Sequence, residues 1–177
     1  MTSEEKRRIA DRRIAVVGAT EFIDSIRTEL QQSGFEHIEI ISRSDEMPMP
    51  SNVDVIAESV NEGGSFLSKD LTIPLILSFD FVNGAGAIVI MPSDERELLK
   101  KPKLRQWAAN YIAGYCAFWN VEGCKWLRAS LNDIQKGVTS SAAIKTAAHI
   151  CARIVANIAV GREVKHFPRF YLCKNLE

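Results

Sequence analysis

The stretch Arg13–Ser42 constrains the fold more than any other part of this chain, because it alternates between strand and helix patterns. Arg13–Val17 is an apolar run that ends at Gly18, where we expect a sharp turn. Apolar residues then recur at helical spacing, and we expect Thr20 to be the N-cap of that helix. The apolar run Phe35–Ile41 predicts a second strand. A βαβ unit of about thirty residues that opens on a glycine turn is typical of nucleotide-binding α/β folds.

The turn at Gly18 lacks two of the three glycines in the GxGxxG fingerprint of dinucleotide-binding proteins. The sequence of residues 18–23 is GATEFI, so only the first glycine is present. Glu21 also places a negative charge in the first turn of the helix, where a phosphate would otherwise bind. The sequence therefore predicts the scaffold of a nucleotide-binding fold without its phosphate cradle.

Composition excludes several classes of function. The chain has 177 residues, of which 46% are hydrophobic, so we expect one domain, residues 1–177, with a large core. It has 22 basic and 22 acidic residues, and this balance argues against nucleic-acid or membrane-surface binding. No apolar run approaches the roughly 20 residues of a membrane span. Residues 1–11 are too charged for a secretion signal, so we expect a cytoplasmic protein.

The four cysteines do not show the paired spacing of a structural zinc site. We expect no metal and interpret them as reduced thiols that pack as small apolar groups. They are Cys116, Cys124, Cys151 and Cys173.

The first half of the chain, residues 13–91, is rich in strand patterns. A short helix, Thr2–Asp11, precedes it, with Thr2 and Glu5 at the spacing of a capping box. Arg43–Asn52 contains two prolines and is predicted to be a loop. Three further strands and a short helix are predicted at Val53–Ala57, Ile73–Phe81, Ala87–Met91 and Glu62–Leu71. Asn83–Gly86 has turn chemistry, which predicts an antiparallel hairpin added to a mostly parallel sheet.

The second half, residues 93–177, is predicted to be mainly helical, with a short strand at its end. The predicted elements are the helices Ser93–Lys100, Lys103–Val121, Cys124–Gln135 and Thr139–Val160 and the strand Phe167–Leu172. The helix Thr139–Val160 is apolar on most faces, which predicts that it is buried. Lys145, His149, Arg153 and Asn157 form one polar line along it. We expect His149 to hydrogen-bond within this line and not to be catalytic.

Aromatic residues recur along the helix Lys103–Val121 at a spacing of four residues, and two more follow them before its end. They are Trp107, Tyr111, Tyr115, Phe118 and Trp119. Such a stripe indicates either a core face or a dimer interface, and a ligand-binding wall is the alternative. The whole pattern predicts an α/β fold with a Rossmann-like, mostly parallel sheet, an antiparallel hairpin, helices on both faces and a helical C-terminal half.

From Arg13 onward, the order of elements resembles the ThiF/MoeB/HesA family of adenylyltransferases, which are related to ubiquitin-activating enzymes. VDVIAESVN (residues 53–61) resembles the family strand that ends in a metal-binding aspartate. IPLILSFDFVNGAGAIVIM (residues 73–91) resembles the family hairpin, with Gly86 at the position of its glycine. Thr139–Gly161, followed by Phe167–Leu172, resembles the closing helix and last strand of the family.

The resemblance implies that relatives use ATP and magnesium to convert a carboxylate into an acyl-adenylate. Matched residue by residue, this chain retains little of that machinery. Only Gly18 remains of the glycine-rich turn, and Ser42 aligns with the acidic residue that would bind the ribose. Val60 aligns with the metal-binding aspartate, although the adjacent Asn61 is kept. Of the family segment that carries basic phosphate-binding residues, only Arg43–Asn52 is left.

The first hypothesis is therefore a non-catalytic relative with no catalytic residues, metal or cofactor. It would be a partner subunit or binding module in a biosynthesis or modification pathway that acts on a carrier protein, peptide or cofactor. The resemblance implies a homodimer, or a heterodimer with an active homologue, with a small carrier protein or peptide as a further partner. The aromatic stripe would be the interface.

The second hypothesis is an active adenylyltransferase, or another enzyme that binds a nucleotide or metabolite, with a rebuilt site at the strand ends. ATP and magnesium would be cofactors only in this case. The candidate ligand-binding residues are Gly18, Thr20, Ser42, Ser59, Asn61, Ser78 and Asp80. A third hypothesis interprets VVGAT (residues 16–20) as the start of an NAD(P)-dependent reductase, but the required glycines and a Tyr-x-x-x-Lys pair are missing.

Overall fold

The computed structural model describes residues 1–43, 48–60 and 66–175. Within these ranges the chain forms a mixed sheet of strand order β2-β1-β3-β4-β5-β6 with helices on both faces. The strands are β1 (Arg13–Val17), β2 (His37–Ile41), β3 (Val55–Val60), β4 (Leu75–Asp80), β5 (Gly84–Ile90) and β6 (Tyr171–Lys174). The α-helices are α1 (Ser3–Asp11), α2 (Thr20–Gln32), α3 (Leu104–Phe118), α4 (Lys125–Gln135) and α5 (Ser141–Ala159). The predicted α/β class is confirmed.

The first four strands are parallel, and β5 runs antiparallel to its neighbours β4 and β6. The central strands are buried on both faces, which explains their nearly continuous apolar sequences. One layer of core packs α1, α2 and α5 against residues such as Ile14 and Ile76. The other layer packs α3 and α4 against residues such as Val17 and Leu77. The antiparallel hairpin was predicted correctly.

The helix α5 is buried along one face, as its apolar sequence predicts. Ser140 is its N-cap, with its Oγ accepting a hydrogen bond from the Ala143 amide at 3.3 Å. Gly161, with a φ of 78°, follows the C-cap and lets the chain leave the helix. The small side chains of Ala148 and Ala152 are buried, which allows close packing on the sheet.

The predicted hairpin turn and the predicted start of the next strand both differ from the structure. Gly84 and Gly86 lie within β5 and not in the turn before it. The hairpin turn is formed around Val82, whose φ is 69° and whose amide donates to Asp80 Oδ1 at 2.7 Å. A Cβ on Gly84 would lie 2.3 Å from the ring of Trp126, so only glycine fits beneath that indole. The predicted turn at Asn83–Gly86 was therefore wrong, and the strand begins earlier than the predicted Ala87.

The predicted helix Ser93–Lys100 was also wrong, and only a short 3-10 helix forms at Glu97–Leu99. Asp94, which the pattern would place in the first helical turn, instead accepts a hydrogen bond from the Met91 amide at 2.8 Å. It also contacts His166 Nδ1 at 2.9 Å. The contact with His166, which is distant in sequence, outweighs the local preference for a helix.

The other predicted elements, apart from the short helix Glu62–Leu71, are confirmed with shifted ends. The capping box of α1 forms, with Thr2 Oγ1 accepting from the Glu5 amide at 3.1 Å. The strands predicted at Val53–Ala57 and Ile73–Phe81 are observed at Val55–Val60 and Leu75–Asp80. The last strand starts at Tyr171, after Pro168, which cannot donate to a ladder. Residues 66–71 form turns and not the predicted helix, and residues 44–47 and 62–65 of the predicted loop and helix lie outside the described ranges.

Candidate functional site

The carboxyl ends of β1, β3 and β4 open into a cavity of about 730 Å³ between α2 and α5. Four of the predicted ligand-binding residues line it, namely Gly18, Ser59, Ser78 and Asp80. They converge because parallel strands end at the same edge, and the pairing of β3 with β4 places Ser59 directly beside Ser78. Thr20 and Ser42 are exposed and do not line this cavity, and Asn61 lies outside the described residues.

Ser59 fills the space next to Gly18 into which a side chain would project. The Ala19 amide donates to Ser59 Oγ at 3.4 Å, so this hydroxyl lies at the N-terminus of α2. A Cβ on Gly18 would lie 2.2 Å from that oxygen, and the φ of Gly18 is 152°. The prediction that Thr20 is the N-cap was wrong: Ala19 is the N-cap, and its own side chain makes no capping bond. A serine hydroxyl from a neighbouring strand therefore accepts from one backbone amide at a helix start, and such amides bind anions in phosphate-binding turns.

Arg43 is the cation at the mouth of the cavity. It follows directly after the predicted residue Ser42, and its Nη2 donates to the Ser59 backbone oxygen at 2.6 Å. Its guanidinium is therefore attached to the same serine that fills the turn. Glu21 lines the cavity as well and adds a negative charge to it. Sequence reasoning treated Arg43 only as the start of a loop, although a basic residue just after the second strand is a usable signal.

Asp80 connects the elements that form one wall of the cavity. Its Oδ2 accepts from the Ser140 amide at 2.8 Å, which ties the end of β4 to the start of α5. Arg105, buried on α3, donates to the Asp80 backbone oxygen at 2.6 Å and places Nη2 3.8 Å from Oδ1. Burial raises the pKa of Asp80, while the two amides that it accepts from and Arg105 oppose this shift. Burial also lowers the pKa of Arg105, and Asp80 opposes that shift. The pair is structural, and the sequence pattern did not single out Arg105.

Ser78 provides a polar atom on the inner wall. The side chain is 1% exposed, and within the described residues its Oγ has no hydrogen-bond partner of ordinary geometry. The Cys151 thiol lies beside it: burial raises the pKa of Cys151 to about 12, and Ser78 opposes the shift. Around these two groups the wall is apolar, with Ala147 and Ile144 from α5. A small ligand with one polar group would be matched to this wall.

The residues that line the cavity offer a magnesium–nucleotide complex two carboxylates, Glu21 and Asp80, and one cation, Arg43. Val60, which the resemblance aligns with a metal-binding aspartate, is 4% exposed, and its side chain packs in the core on the other face of the sheet. Across the described ranges, no cluster of three or more histidine, cysteine or carboxylate side chains could hold a metal. Ser59 fills the turn, and Arg43 is bonded to the backbone. Glu58, which sequence reasoning did not consider, is fully buried on β3 and alternates with the cavity-facing Ser59.

A second cavity, of about 600 Å³, lies between α3, α4 and β6, and we call it the aromatic groove. Its apolar lining includes Tyr111, Tyr115, Trp126, Phe170 and Leu172. Its charged lining consists of Lys165, Arg169 and Lys174 with one carboxylate, Glu122. Three cations against one anion make the groove a positively charged site with an apolar floor.

The predicted aromatic stripe is divided between core and surface. Trp107 and Tyr111 stack at 5.1 Å and pack against the core, and the Tyr111 hydroxyl donates to the Pro168 oxygen at 2.8 Å. Tyr115, Phe118 and Trp119, beside the groove, are 46%, 79% and 63% exposed. The first two residues belong to the core, while the last three form an exposed aromatic surface.

The structure also tests the predictions for His149 and for the four cysteines. His149 Nδ1 lies 3.2 Å from Glu29 Oε2 on α2, so the expectation that it bonds within the polar line of α5 was wrong. The neighbouring helix supplies a carboxylate that is distant in sequence. All four cysteines are free, and Cys116 and Cys151 are buried as expected. The Cys116 and Cys124 sulfurs are in contact at 2.6 Å, which sequence spacing did not indicate.

Comparisons with known proteins find little. No family model matches the chain, and no curated protein matches it. Fourteen chains of solved structures are similar to it. One of them, titled "Heterocyclase in complex with substrate and Cofactor", shares 13% identity at a TM-score of 0.44, over 89% of this chain. This chain spans 20% of that one. Among the described residues, no helix has the length and apolarity needed to cross a membrane.

Proposed function

We propose that this chain is a non-catalytic binding module, a degenerate relative of the ThiF/MoeB-like adenylyltransferases. It would serve as a partner subunit in a pathway that builds or modifies a carrier protein, a peptide or a cofactor. The observation that carries the proposal is the position of the Ser59 hydroxyl, within hydrogen-bond distance of the Ala19 amide above Gly18. A phosphate in the same place would have to displace this oxygen.

The energetics of adenylation support this view. The reaction depends on groups that neutralise charge on the phosphates, and each principal contact supplies several kcal/mol. Here Glu21 opposes a phosphate, Val60 offers no metal ligand and Arg43 is bonded to a backbone oxygen. Each missing contact removes stabilisation from the same transition state.

The aromatic groove supports a role in binding. Exposed aromatic residues such as Phe118 and Trp119 are common at the centres of protein interfaces. Lys165, Arg169 and Lys174 make the rim positive, and β6 is the last strand of the described sheet. An unpaired sheet edge can accept an extended segment of another chain. The partner would therefore present an acidic, extended segment with apolar side chains.

Thermal unfolding with ATP and magnesium, AMP or NAD tests the loss of nucleotide binding. A ligand at a hundred times its dissociation constant adds about 2.7 kcal/mol, which would raise Tm by roughly 5–10 °C for a chain of this size. We expect no such rise at millimolar concentrations of any of the three. A rise of that size with ATP and magnesium would contradict the proposal.

Fluorescence anisotropy with a labelled peptide of alternating glutamate and leucine tests the groove. We expect binding that weakens as salt is added, because the rim charges are exposed and screened. Arg169→Glu should weaken it by about tenfold. Arg153→Glu, on the exposed face of α5, is the matched control and should not change it. Binding that responds equally to both variants would contradict the assignment, as would a stable homodimer that buries the groove.

The alternative is an enzyme or metabolite-binding protein with a rebuilt site, and one observation favours it. The buried Ser78 hydroxyl faces a cavity of about 730 Å³ without an ordinary hydrogen-bond partner among the described residues. Thermal unfolding with a panel of small carboxylates tests this alternative. A rise in Tm that Ser78→Ala abolishes would favour it over the non-catalytic module.

A further inference from the structure

Two thiols meet in the wall of the aromatic groove. Cys116 belongs to the last turn of α3, and Cys124 is the N-cap of α4. Their sulfurs are 2.6 Å apart, within an ångström of the roughly 2.05 Å length of a disulfide bond. Both line the groove, and the chain between them includes the exposed Phe118 and Trp119.

The backbone between the two cysteines holds this arrangement. Asn120 and Gly123 have φ values of 51° and 86°, a left-handed conformation that reverses the chain. The Val121 amide donates to the Cys116 backbone oxygen at 2.9 Å, which closes the end of α3. The two sulfurs therefore meet because of an ordered turn, and forming a bond requires little movement of either helix.

The two thiols differ in access. Cys116 is 6% exposed, and burial, together with the neighbouring Cys124, raises its pKa to about 12. Cys124 is partly exposed at the groove. A small oxidant would therefore reach Cys124 first, and Cys116 is placed to be the second sulfur. By contrast, Cys151 is fully buried on the other face of the sheet and has no thiol partner among the described residues.

We propose that Cys116 and Cys124 form a reversible disulfide bond when a peroxide oxidises the chain. The Cys124 thiolate attacks one peroxide oxygen, the O–O bond breaks, and a sulfenic acid and water form once the leaving hydroxide takes a proton. The Cys116 sulfur then attacks the sulfenic sulfur, the S–S bond forms, and the hydroxyl leaves as water with the Cys116 proton. Two thiols and one hydrogen peroxide become one disulfide and two waters.

This inference goes beyond the proposed function and does not depend on it, because the bond forms within the isolated chain. Its consequence for the groove is a closed ring from Cys116 to Cys124. The ring restricts the segment that carries Phe118 and Trp119. Loop-closure entropy for a ring of about nine residues corresponds to a rise in Tm of roughly 5–10 °C for a chain of this size.

The test is to treat the purified chain with hydrogen peroxide, denature it and label the remaining thiols with N-ethylmaleimide. We expect labelling to fall from the four cysteines to two, with one peptide pair linked through Cys116 and Cys124. Dithiothreitol should restore four labels. Four labels after peroxide, or a linkage that involves Cys173 instead, would overturn the proposal.

Variants test the order of the two steps. In Cys116→Ser, peroxide should leave a sulfenic acid on Cys124 that dimedone traps. In Cys124→Ser, the buried Cys116 should give no adduct under the same conditions. Cys173→Ser is the matched control, and its Tm should rise on oxidation as much as that of the unmodified chain. If oxidation raises the Tm of neither the unmodified chain nor Cys173→Ser, the result would contradict a closed ring.

Discussion

Replacing Gly18 by alanine tests whether Ser59 fills the turn at the start of α2. The added Cβ would lie 2.2 Å from Ser59 Oγ and 2.9 Å from Ser59 Cβ. Crowding of this kind costs about 1–3 kcal/mol. The φ of 152° adds a backbone strain of about 1–3 kcal/mol for an L-residue. We expect Gly18→Ala to lower the free energy of unfolding by roughly 2–6 kcal/mol.

A double-mutant cycle separates the two contributions. In Ser59→Gly the side chain that the new Cβ would meet is absent, so Gly18→Ala should cost only the backbone strain. The coupling between the two substitutions should be about 1–2 kcal/mol. Urea denaturation of the four proteins measures it from shifts of the midpoint at a constant slope. Gly123→Ala is a matched control, since its φ is 86° and nothing lies within 4 Å of an added Cβ.

The reasoning would be refuted if Gly18→Ala cost the same with serine and with glycine at residue 59. Additive behaviour to within about 0.5 kcal/mol would mean that the two residues do not share the space. The turn would then be open, and the main argument against nucleotide binding would be lost. A cost of Gly18→Ala equal to that of the Gly123→Ala control would lead to the same conclusion.

Four further predictions concern stability. Gly84→Ala places a Cβ 2.3 Å from an indole carbon and 2.5 Å from a backbone oxygen, so we expect a loss of about 2–4 kcal/mol in urea denaturation. Gly114→Ala, with nothing within 4 Å on α3, should instead stabilise by about 0.5–1 kcal/mol. Because burial raises the pKa of Asp80, its contribution to stability is full below the usual pKa of 3.8 and is lost as pH rises through the raised value. The stability of wild type relative to Asp80→Asn, followed by denaturation at several pH values, should therefore fall across that window, and a rise would contradict the assignment. His149→Ala removes a partly exposed contact with Glu29 and should change the free energy of unfolding by less than about 1 kcal/mol, so a larger loss would indicate another role.

The candidate cavity was largely predictable because strand ends can be located from sequence. Ser59, Ser78 and Asp80 follow or end apolar runs, and parallel strands bring such residues to one edge. Thr20 and Ser42 do not line the cavity, whereas Ala19 and Arg43 beside them do. An error of one residue at the end of an element is enough to move a side chain from the cavity to solvent.

The missed residues have partners that are distant in sequence. Arg105 lies within an apolar helix pattern, and its contact with Asp80 exists only because α3 packs beneath the hairpin. The helix predicted at Ser93–Lys100 failed for a related reason, because Asp94 bonds His166 from the far end of the chain. In both cases a local pattern was outweighed by a contact that depends on the packing of whole elements.

By itself, the sequence determined the alternation of strands and helices, the buried face of α5 and the loss of the glycines after Gly18. These follow from periodicity and residue type, which act over a few neighbouring residues. Only the tertiary structure decided that Ser59 packs against the Gly18 turn, that Cys116 contacts Cys124 and that three of the five aromatic residues of the stripe are exposed. Those contacts depend on strand order, register and the angles between packed helices, and no short-range pattern in the chain specifies them.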